Sequence, residues 1–382
     1  MDLLNDIIVV DFSQFLSGPS AGLRLADMGA RVIKVERPVT GDICRQLYVS
    51  DTRIEGESTI FHAINRNKQS YTADLKDKTD LEKIKKLITS ADVVLHNYRP
   101  GVMERIGLDY PTVKSIKPDI IYGEVSGYGA EGPWKDLPGQ DLLVQALSGL
   151  TWLSNNQDER PTPMGVSVVD ILAGTYLAQG ILAALYRRGI TGQSALVQVS
   201  MMEAILDFQF EVLTCHYNDG RQLPVRSRLS NGNAYIPAPY GIYKTREGYL
   251  SLAMSDIPRL AHLLECKSLE PFENSTEWFD RRDEIKAILT QHLLTRSADD
   301  WLSILQPADI WCAKVMDYKE LMQQVGYKVL DMELKVKTSN GLSIRTTRCP
   351  IRIDGKIAAS EKGAPLLGEH NTLIDAQFGL VE

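Results

Sequence analysis

An open, doubly wound α/β sheet, followed by a smaller α+β domain, is the fold class this sequence predicts. Three observations carry it. Short apolar runs of strand length alternate with amphipathic stretches of about a dozen residues through the first half, the signature of βαβ units on a parallel sheet. From about Asp219 the character changes: residues 226–254 are rich in Gly, Pro and Tyr, and residues 256–326 break into short helical pieces. The chain has 382 residues, of which 44% are apolar, enough for two separate cores.

Taken in order, residues 7–11 (IIVVD) form a strand, 17–30 a helix with one apolar face and a glycine near its end, and 31–38 a second strand stopped by Pro38. Residues 39–60 read as an excursion. Residues 64–75 hold a basic turn and a strand, 77–91 an amphipathic helix, 92–101 a strand ending in a polar turn, and 119–129 a further strand. Residues 102–116 are helical, with an interruption expected near Pro111. Ligands of such sheets sit at the carboxyl ends of the strands, which draws attention to Leu16–Ser17, Arg37, His96–Arg99 and Ser126–Tyr128. The domain boundaries predicted are 1–219 for the large domain, 220–325 for the small one, and 326–382 for a tail of strand-like pieces and a final turn.

Residues 164–189, MGVSVVDILAGTYLAQGILAALYRRG, are nearly all apolar yet carry one carboxylate, Asp170. Asp170 before the run, Arg187 and Arg188 in its last turn, and Gly189 after it predict a helix with a cap at each end. Three readings compete for Asp170. It is a helix cap; or it is a charge in a membrane span, which Thr175, Gln179 and two glycines in the run oppose; or it is a nucleophilic carboxylate, favoured by the positive end of a helix. The local sequence does not choose between cap and nucleophile.

Composition narrows the classes. A formal net charge of -7 with no basic block argues against nucleic acid as the main partner, and 24% charged residues of mixed sign indicate a soluble chain. The opening MDLLNDIIVVDFS lacks a basic region, so no secretory signal is expected. Cys44, Cys215, Cys266, Cys312 and Cys349 are scattered and odd in number, as in reduced cytoplasmic proteins, and no metal-ligand spacing occurs. GYGAEG at 127–132 matches GxGxxG after a strand, but Pro133, Asp136 and Pro138 follow where a helix should open, so it is a poor dinucleotide fingerprint. There is no phosphate-binding GxxxxGK[ST] and no GxSxG. Lys34, Arg37, Arg66, Lys68, Arg99 and Arg105 fall near predicted strand ends. Each alone reads as a solvated charge; their shared position admits a phosphate-bearing ligand. His96 and His370 read as ordinary hydrogen-bonding residues.

Several separate segments, in order, resemble the family III CoA-transferases, the group of the formyl-CoA:oxalate and carnitine CoA-transferases, related to the α-methylacyl-CoA racemases. They are SGPSAGLRLADMGARVIKVERP, NRNKQS, NYRPGVMERIG, SGYGAEGPW, QDLLVQALSGL, VSVVDILAGTYLAQGILAALYRR and the tail GAPLLGEH. The resemblance implies a Rossmann-like large domain, a smaller domain, a tail that returns to the large domain, and an interlocked homodimer. It places the nucleophile on Asp170. It carries CoA contacts to Leu16, Ser17, Arg37, Asn67, Lys68, Asn97, Tyr98, Arg99 and Arg105, and an acidic partner to Asp141. The substrates implied are an acyl-CoA and a small carboxylic acid, with CoA as substrate rather than a resident cofactor, and with no nucleic acid or membrane as partner. A cytoplasmic location follows from the composition.

Two departures bear on chemistry. The racemases place a catalytic His where this chain has Gln140, and racemisation needs a second base facing the α-carbon, which disfavours a racemase or epimerase. Some transferases carry a glycine-rich loop or a His-Pro pair after a GN turn; NGNAYIPAP keeps Gly232 and Asn233 but has no His. Pro138 stands near the position of a Lys in the oxalate enzyme, so oxalate is not the expected acceptor. A CoA-binding module without catalysis is the remaining alternative.

Overall fold

The computed structural model describes residues 3–47, 52–54 and 56–381. The excursion expected over 39–60 therefore lies partly outside the described residues. The chain divides into two compact units. The first comprises residues 1–144, 167–208 and 329–382; the second, residues 145–166 and 209–328. The second unit thus takes in a segment from inside the expected large domain.

In the first unit, six strands form one parallel sheet: β1 (Ile8–Asp11), β2 (Arg31–Glu36), β3 (Gln69–Thr72), β4 (Val93–His96), β5 (Ile121–Ser126) and β6 (Ala195–Ser200). Their order is 3-2-1-4-5-6, that of a dinucleotide-binding doubly wound sheet. Val9, Val10, Val93, Val94 and Leu95 are fully buried, which is why β1 and β4 read as unbroken apolar runs rather than alternating ones. Strand order reverses between β1 and β4, so their carboxyl ends open a crevice.

Helix α1 (Ser17–Asp27) leaves that crevice, and α2 (Lys78–Ile88) begins where Asp77 caps Thr79 and Asp80. The stretch 102–116 divides into Val102–Ile106 and Tyr110–Ile116. The break is at Gly107, in the left-handed region at φ 77°, while Pro111 lies in the first turn of the second piece, where its missing N–H costs nothing. Helix α3 (Asp141–Leu147) precedes the apolar helix α4 (Val168–Thr191), which buries Ala173, Leu177, Ala178 and Ile181. Helix α4 runs through Gly189 and stops at Gly192, which has φ 70° and donates to Arg188 O; the sequence signal for its end is three residues early. By length and composition α4 is capable of crossing a bilayer; here one face packs on α1, β5, β6 and α5 (Met201–Phe208).

The second unit holds a three-stranded antiparallel sheet of β7 (Gly241–Lys244), β8 (Tyr249–Leu252) and β9 (Cys312–Lys314). Its core joins Tyr243, Leu250, Leu289 and Trp301, with helices α6 (Ile257–Leu263), α7 (Arg282–Leu293) and α8 (Ala298–Leu305) around it. A capping box between Ser297 and Asp300 starts α8.

The tail belongs to the first unit. After the hairpin of β10 (Glu333–Lys337) and β11 (Ser343–Thr347), it closes the open edge of β3. His370 N donates to Ser70 O at 3.1 Å, Thr72 N donates to Asn371 Oδ1 at 2.9 Å, and Tyr71 donates to Asp375 at 2.8 Å on α9 (Asn371–Phe378). Gly368 N donates to the Ser70 hydroxyl at 2.9 Å, which fixes the GAPLLGEH segment against the strand.

Candidate active site

Asp170 does not cap its own helix. It is the third residue of α4, and Ser167, at the cap position, makes no side-chain cap. The cap comes from α3: Asp141 Oδ2 accepts Val169 N at 2.8 Å and Asp170 N at 3.1 Å. This leaves the Asp170 carboxylate free to face elsewhere, which corrects the cap reading.

It faces the start of α1. Leu16 stands at the cap position of α1 without a side-chain cap; Ser20 N donates to Leu16 O at 2.9 Å and Pro19 has no N–H, so the first-turn N–H groups outside the helix ladder are those of Ser17 and Gly18. Helices α1 and α4 cross at Gly174, where a Cβ would overlap Ser17 O and the Ser20 hydroxyl. Gly174 follows Asp170 by four residues and shares its face. The crossing therefore sets the Asp170 turn against the first turn of α1, close enough for Ser17 to favour the charged form of the carboxylate. Burial pushes the Asp170 pKa up, and the Asp141 charge pushes it further; the Ser17 contacts oppose them, and the result is about 7. Asp170 is thus a carboxyl held near neutrality at the positive end of a helix.

Asn97, just past β4, ties the crevice together. Its Oδ1 accepts Gln14 N at 2.8 Å, and its Nδ2 donates to Gln14 O at 2.7 Å and to Ser17 Oγ at 3.1 Å. Tyr98 stacks on His96 with ring centroids 6.1 Å apart and receives a bond from Gln14 Nε2. Leu16 packs beside Cys44, Phe61 and Ala364. Arg37, Arg99 and Arg105 are exposed; among the described residues none of the three pairs with a carboxylate.

The other cations are spent inside. Lys68 Nζ donates to Asp11 Oδ2 at 3.0 Å, Pro19 O at 2.9 Å and Asn65 Oδ1 at 3.0 Å, which uses all three of its N–H groups. Burial pulls its pKa down to about 8 against the pull of Asp11. Arg66 grips Asp27, and Lys34 bonds Asp42 at 2.7 Å. Burial lowers the proton affinity of Lys34, but the charges of Asp42, Asp11 and Glu36 outweigh it and hold the ammonium protonated. Asn67, at φ 61°, donates through Nδ2 to Ala26 O at 2.8 Å. Lys34, Arg66 and Lys68 are thus engaged by Asp42, Asp27 and Asp11; the phosphate reading of the strand-end cations turns to Arg37, Arg99 and Arg105. What hid this in the sequence is that Asp11 and Asp27 are distant along the chain from Lys68 and Arg66, and Asp42 lies across a turn from Lys34.

A cavity of about 810 Å³ opens over the carboxyl ends of β4, β5 and β6, lined by Tyr98, Arg99, Tyr122, Glu124, Ser126 and Gln198 among others. Glu124 accepts Gln198 Nε2 at 2.8 Å and lies 3.5 Å from His96 Nε2. Asp170 and Ser17 do not line it; residues 98 and 99 join it to the crevice. Gly174 is the site residue that sequence reasoning passed over, although a glycine four residues after the carboxylate in an apolar helix is a visible signal. No group of three or more potential metal ligands occurs among the described residues.

One tuned carboxylate at the strand-order reversal, with Arg37, Arg99 and Arg105 free of carboxylate partners among the described residues, suits a thioester of a phosphorylated carrier. Residues 4–371 match the family described as CoA-transferase family III. The chain belongs to that family. The succinate–glutarate CoA-transferase of Agrobacterium fabrum is 30% identical, over 99% of this chain and 96% of its own length. The acetyl-CoA:oxalate CoA-transferase of Acetobacter aceti is 31% identical, over 98% and 96%. Among solved structures, the Rv3272 protein of Mycobacterium tuberculosis superposes with a TM-score of 0.84 at 29% identity, over 98% of this chain and 99% of that one. A CaiB/BaiF family protein of Brucella suis gives 0.83 at 28%, over 97% and 98%. The chain is accordingly a CoA-transferase whose substrates are CoA thioesters, on an α/β fold with a six-stranded parallel sheet.

Proposed function

We propose that this transferase moves CoA from an acyl-CoA to a free carboxylic acid by covalent catalysis through Asp170. The observation that carries the reading is the Asp170 carboxyl, with a pKa of about 7, set against the N-terminal turn of α1. An Asp170 oxygen attacks the thioester carbonyl, the C–S bond breaks, and CoA thiolate leaves a mixed anhydride. The thiolate attacks the Asp170 carbonyl, the anhydride C–O bond breaks, and the first acid departs as its carboxylate, leaving an aspartyl-CoA thioester. The second carboxylate attacks the aspartyl carbonyl, the C–S bond breaks and thiolate leaves a second mixed anhydride; the thiolate then attacks the acceptor's acyl carbon, the anhydride C–O bond to Asp170 breaks, and the new acyl-CoA departs with Asp170 restored as its carboxylate. No proton is gained or lost overall, and thioester energy is kept throughout. The Gly18 N–H in the first turn of α1 is suited to steady a developing oxyanion. The raised proton affinity of Asp170 makes its ionised carboxylate more nucleophilic than an ordinary aspartate, while a usable fraction stays ionised near pH 7.

Arg37, Arg99 and Arg105 are proposed to hold the phosphates of CoA, with Leu16 and Tyr98 beside its chain and Asn97 shaping the turn. A homodimer is also proposed: Ile171, Tyr186 and Ile190 on α4 are 43%, 75% and 68% exposed, an apolar face of the kind that a second copy covers. The relatives' names make succinyl-CoA with glutarate, and acetyl-CoA with oxalate, the first pairs to assay. The test is intact mass after mixing with each acyl-CoA and trapping with hydroxylamine. We expect an adduct on the peptide holding Asp170, and none in Asp170→Ala; an Asp170→Ala protein that still exchanged CoA between acids would overturn the reading.

A further inference from the structure

Three residues of the turn before β3, Arg66, Asn67 and Lys68, hold helix α1 from its first turn to its last. Lys68 Nζ donates to Pro19 O in the first turn at 2.9 Å, and is anchored to β1 through Asp11 Oδ2 and to its own turn through Asn65 Oδ1, both at 3.0 Å. In mid-helix α1 passes directly over that ion pair: a Cβ on Gly22 would come to 2.8 Å from Asp11 Oδ2 and 3.1 Å from Lys68 Nζ. At the last turn Asn67 Nδ2 donates to Ala26 O at 2.8 Å, and Arg66 Nη2 donates to Asp27 Oδ2 at 2.8 Å. Residues 19, 22 and 26 are spaced three and four apart, so these contacts run as one stripe down α1. The turn is itself tied down, because Asn67 N donates to Lys362 O at 3.1 Å and to Gly363 O at 3.2 Å in the tail. Asn65, Arg66 and Lys68 are buried, so water does not compete for these bonds. Elsewhere in its first turn α1 meets α4: a Cβ on Gly174, one turn after Asp170, would overlap Ser17 O and the Ser20 hydroxyl.

We infer that Asn67 and Lys68 are positioning residues for the reaction: with Arg66 they clamp α1, and so fix where its first turn stands on α4, one helical turn from Asp170. This rests on the covalent reading above. It replaces the contact with CoA that the resemblance gives both residues. Lys68 spends its three N–H groups on Asp11, Pro19 and Asn65, and the Asn67 amide is turned to the end of α1. The two roles predict different losses. A group that touches the carrier sets its affinity, whereas a clamp beneath α1 sets the alignment of the reacting groups and leaves the affinity to Arg37, Arg99 and Arg105. A clamp with no catalytic consequence would change stability alone.

The experiment compares the wild type with Asn67→Gly, Lys68→Met, Arg105→Ala and Asp170→Ala. Single-turnover formation of the trapped adduct is measured at saturating acyl-CoA, per folded molecule and well below each unfolding temperature, and CoA affinity separately by calorimetry. Asn67 has φ 61°, which glycine adopts freely, so Asn67→Gly removes the side-chain bond without straining the turn. Misplacement of α1 predicts that Asn67→Gly and Lys68→Met slow adduct formation about tenfold to a hundredfold, while CoA affinity stays within about threefold. Arg105→Ala gives the signature of a carrier contact, a loss of CoA affinity of about tenfold. If Lys68→Met does not fold, as a buried Asp11 left without its partner can cause, Asn67→Gly decides alone. The inference is overturned if folded Asn67→Gly forms the adduct at the wild-type rate, whatever its stability, or if it loses CoA affinity as Arg105→Ala does. Asp170→Ala separates the two levels. No adduct in that variant together with a wild-type rate in Asn67→Gly rejects the clamp alone, whereas an adduct in Asp170→Ala rejects the covalent route and the inference with it.

Discussion

Asp170 holds its proton in the folded protein to a pH where an unfolded Asp has long lost it. The native state therefore binds more protons between about pH 4 and pH 7, and stability falls as pH rises through that window. Above pH 7 the full cost of a buried charge beside Asp141 is present. Asp170→Asn removes that charge, so the variant is expected to be more stable than the wild type at pH 8 by about 1–3 kcal/mol, on the scale of 1.4 kcal/mol per tenfold change in proton affinity. The advantage should vanish near pH 4. Urea unfolding at the two pH values checks this, and equal stabilities at pH 8 would show that the carboxylate is not strained. At the residue scale the sequence named Asp170 and Asp141 as candidates from resemblance, but not their relation. That Asp141 caps α4, and so releases Asp170 to face α1, depends on two segments 29 residues apart meeting, which no local pattern encodes.

Helices α1 and α4 are the elements that make the site, and their distance is set by one missing methyl. Gly174→Ala would force a Cβ into Ser17 O and the Ser20 hydroxyl, both held by α1 backbone. We expect about 1–3 kcal/mol of destabilisation from this overpacking, measured by urea unfolding. We also expect a larger loss of CoA exchange than of CoA binding, because α1 is moved off Asp170. Unchanged exchange would mean that the helices separate without disturbing the carboxylate. The β3 edge makes a second prediction. A chain ending at residue 362 loses the bonds from Gly368, His370 and Asn371 to β3, and should aggregate or fail to purify as a soluble species on gel filtration. The alternation that predicted the sheet was legible because its central strands are buried on both faces and read as pure apolar runs. The position of the break after Ile106 was not, because a proline is conspicuous and the left-handed Gly107 that ends the helix is not.

At the scale of the whole molecule, the apolar outer face of α4 is the open question that the proposed homodimer answers. Native mass spectrometry should give two copies per particle, near twice 42.6 kDa, at micromolar concentration; a monomer there would leave that face to another occupant. The two units also show where sequence reading stops. The change of composition near Asp219 located a second unit, but residues 145–166 join it from inside the first stretch, and the second unit resumes at Gln209. Membership of a unit is decided by which core a segment packs into, and a helix such as α3 is apolar enough for either. By itself the sequence determined the strand and helix periods, the parallel α/β class, the family and the identity of the nucleophile candidate, because these depend on residues near one another or on ordered motifs. Only the tertiary structure decided which cations are free, which carboxylate caps which helix, and what tunes Asp170. Lys34, Arg66 and Lys68 look like Arg37, Arg99 and Arg105 in the chain; they differ because folding brings Asp42, Asp27 and Asp11 to the first three and, among the described residues, no carboxylate to the others.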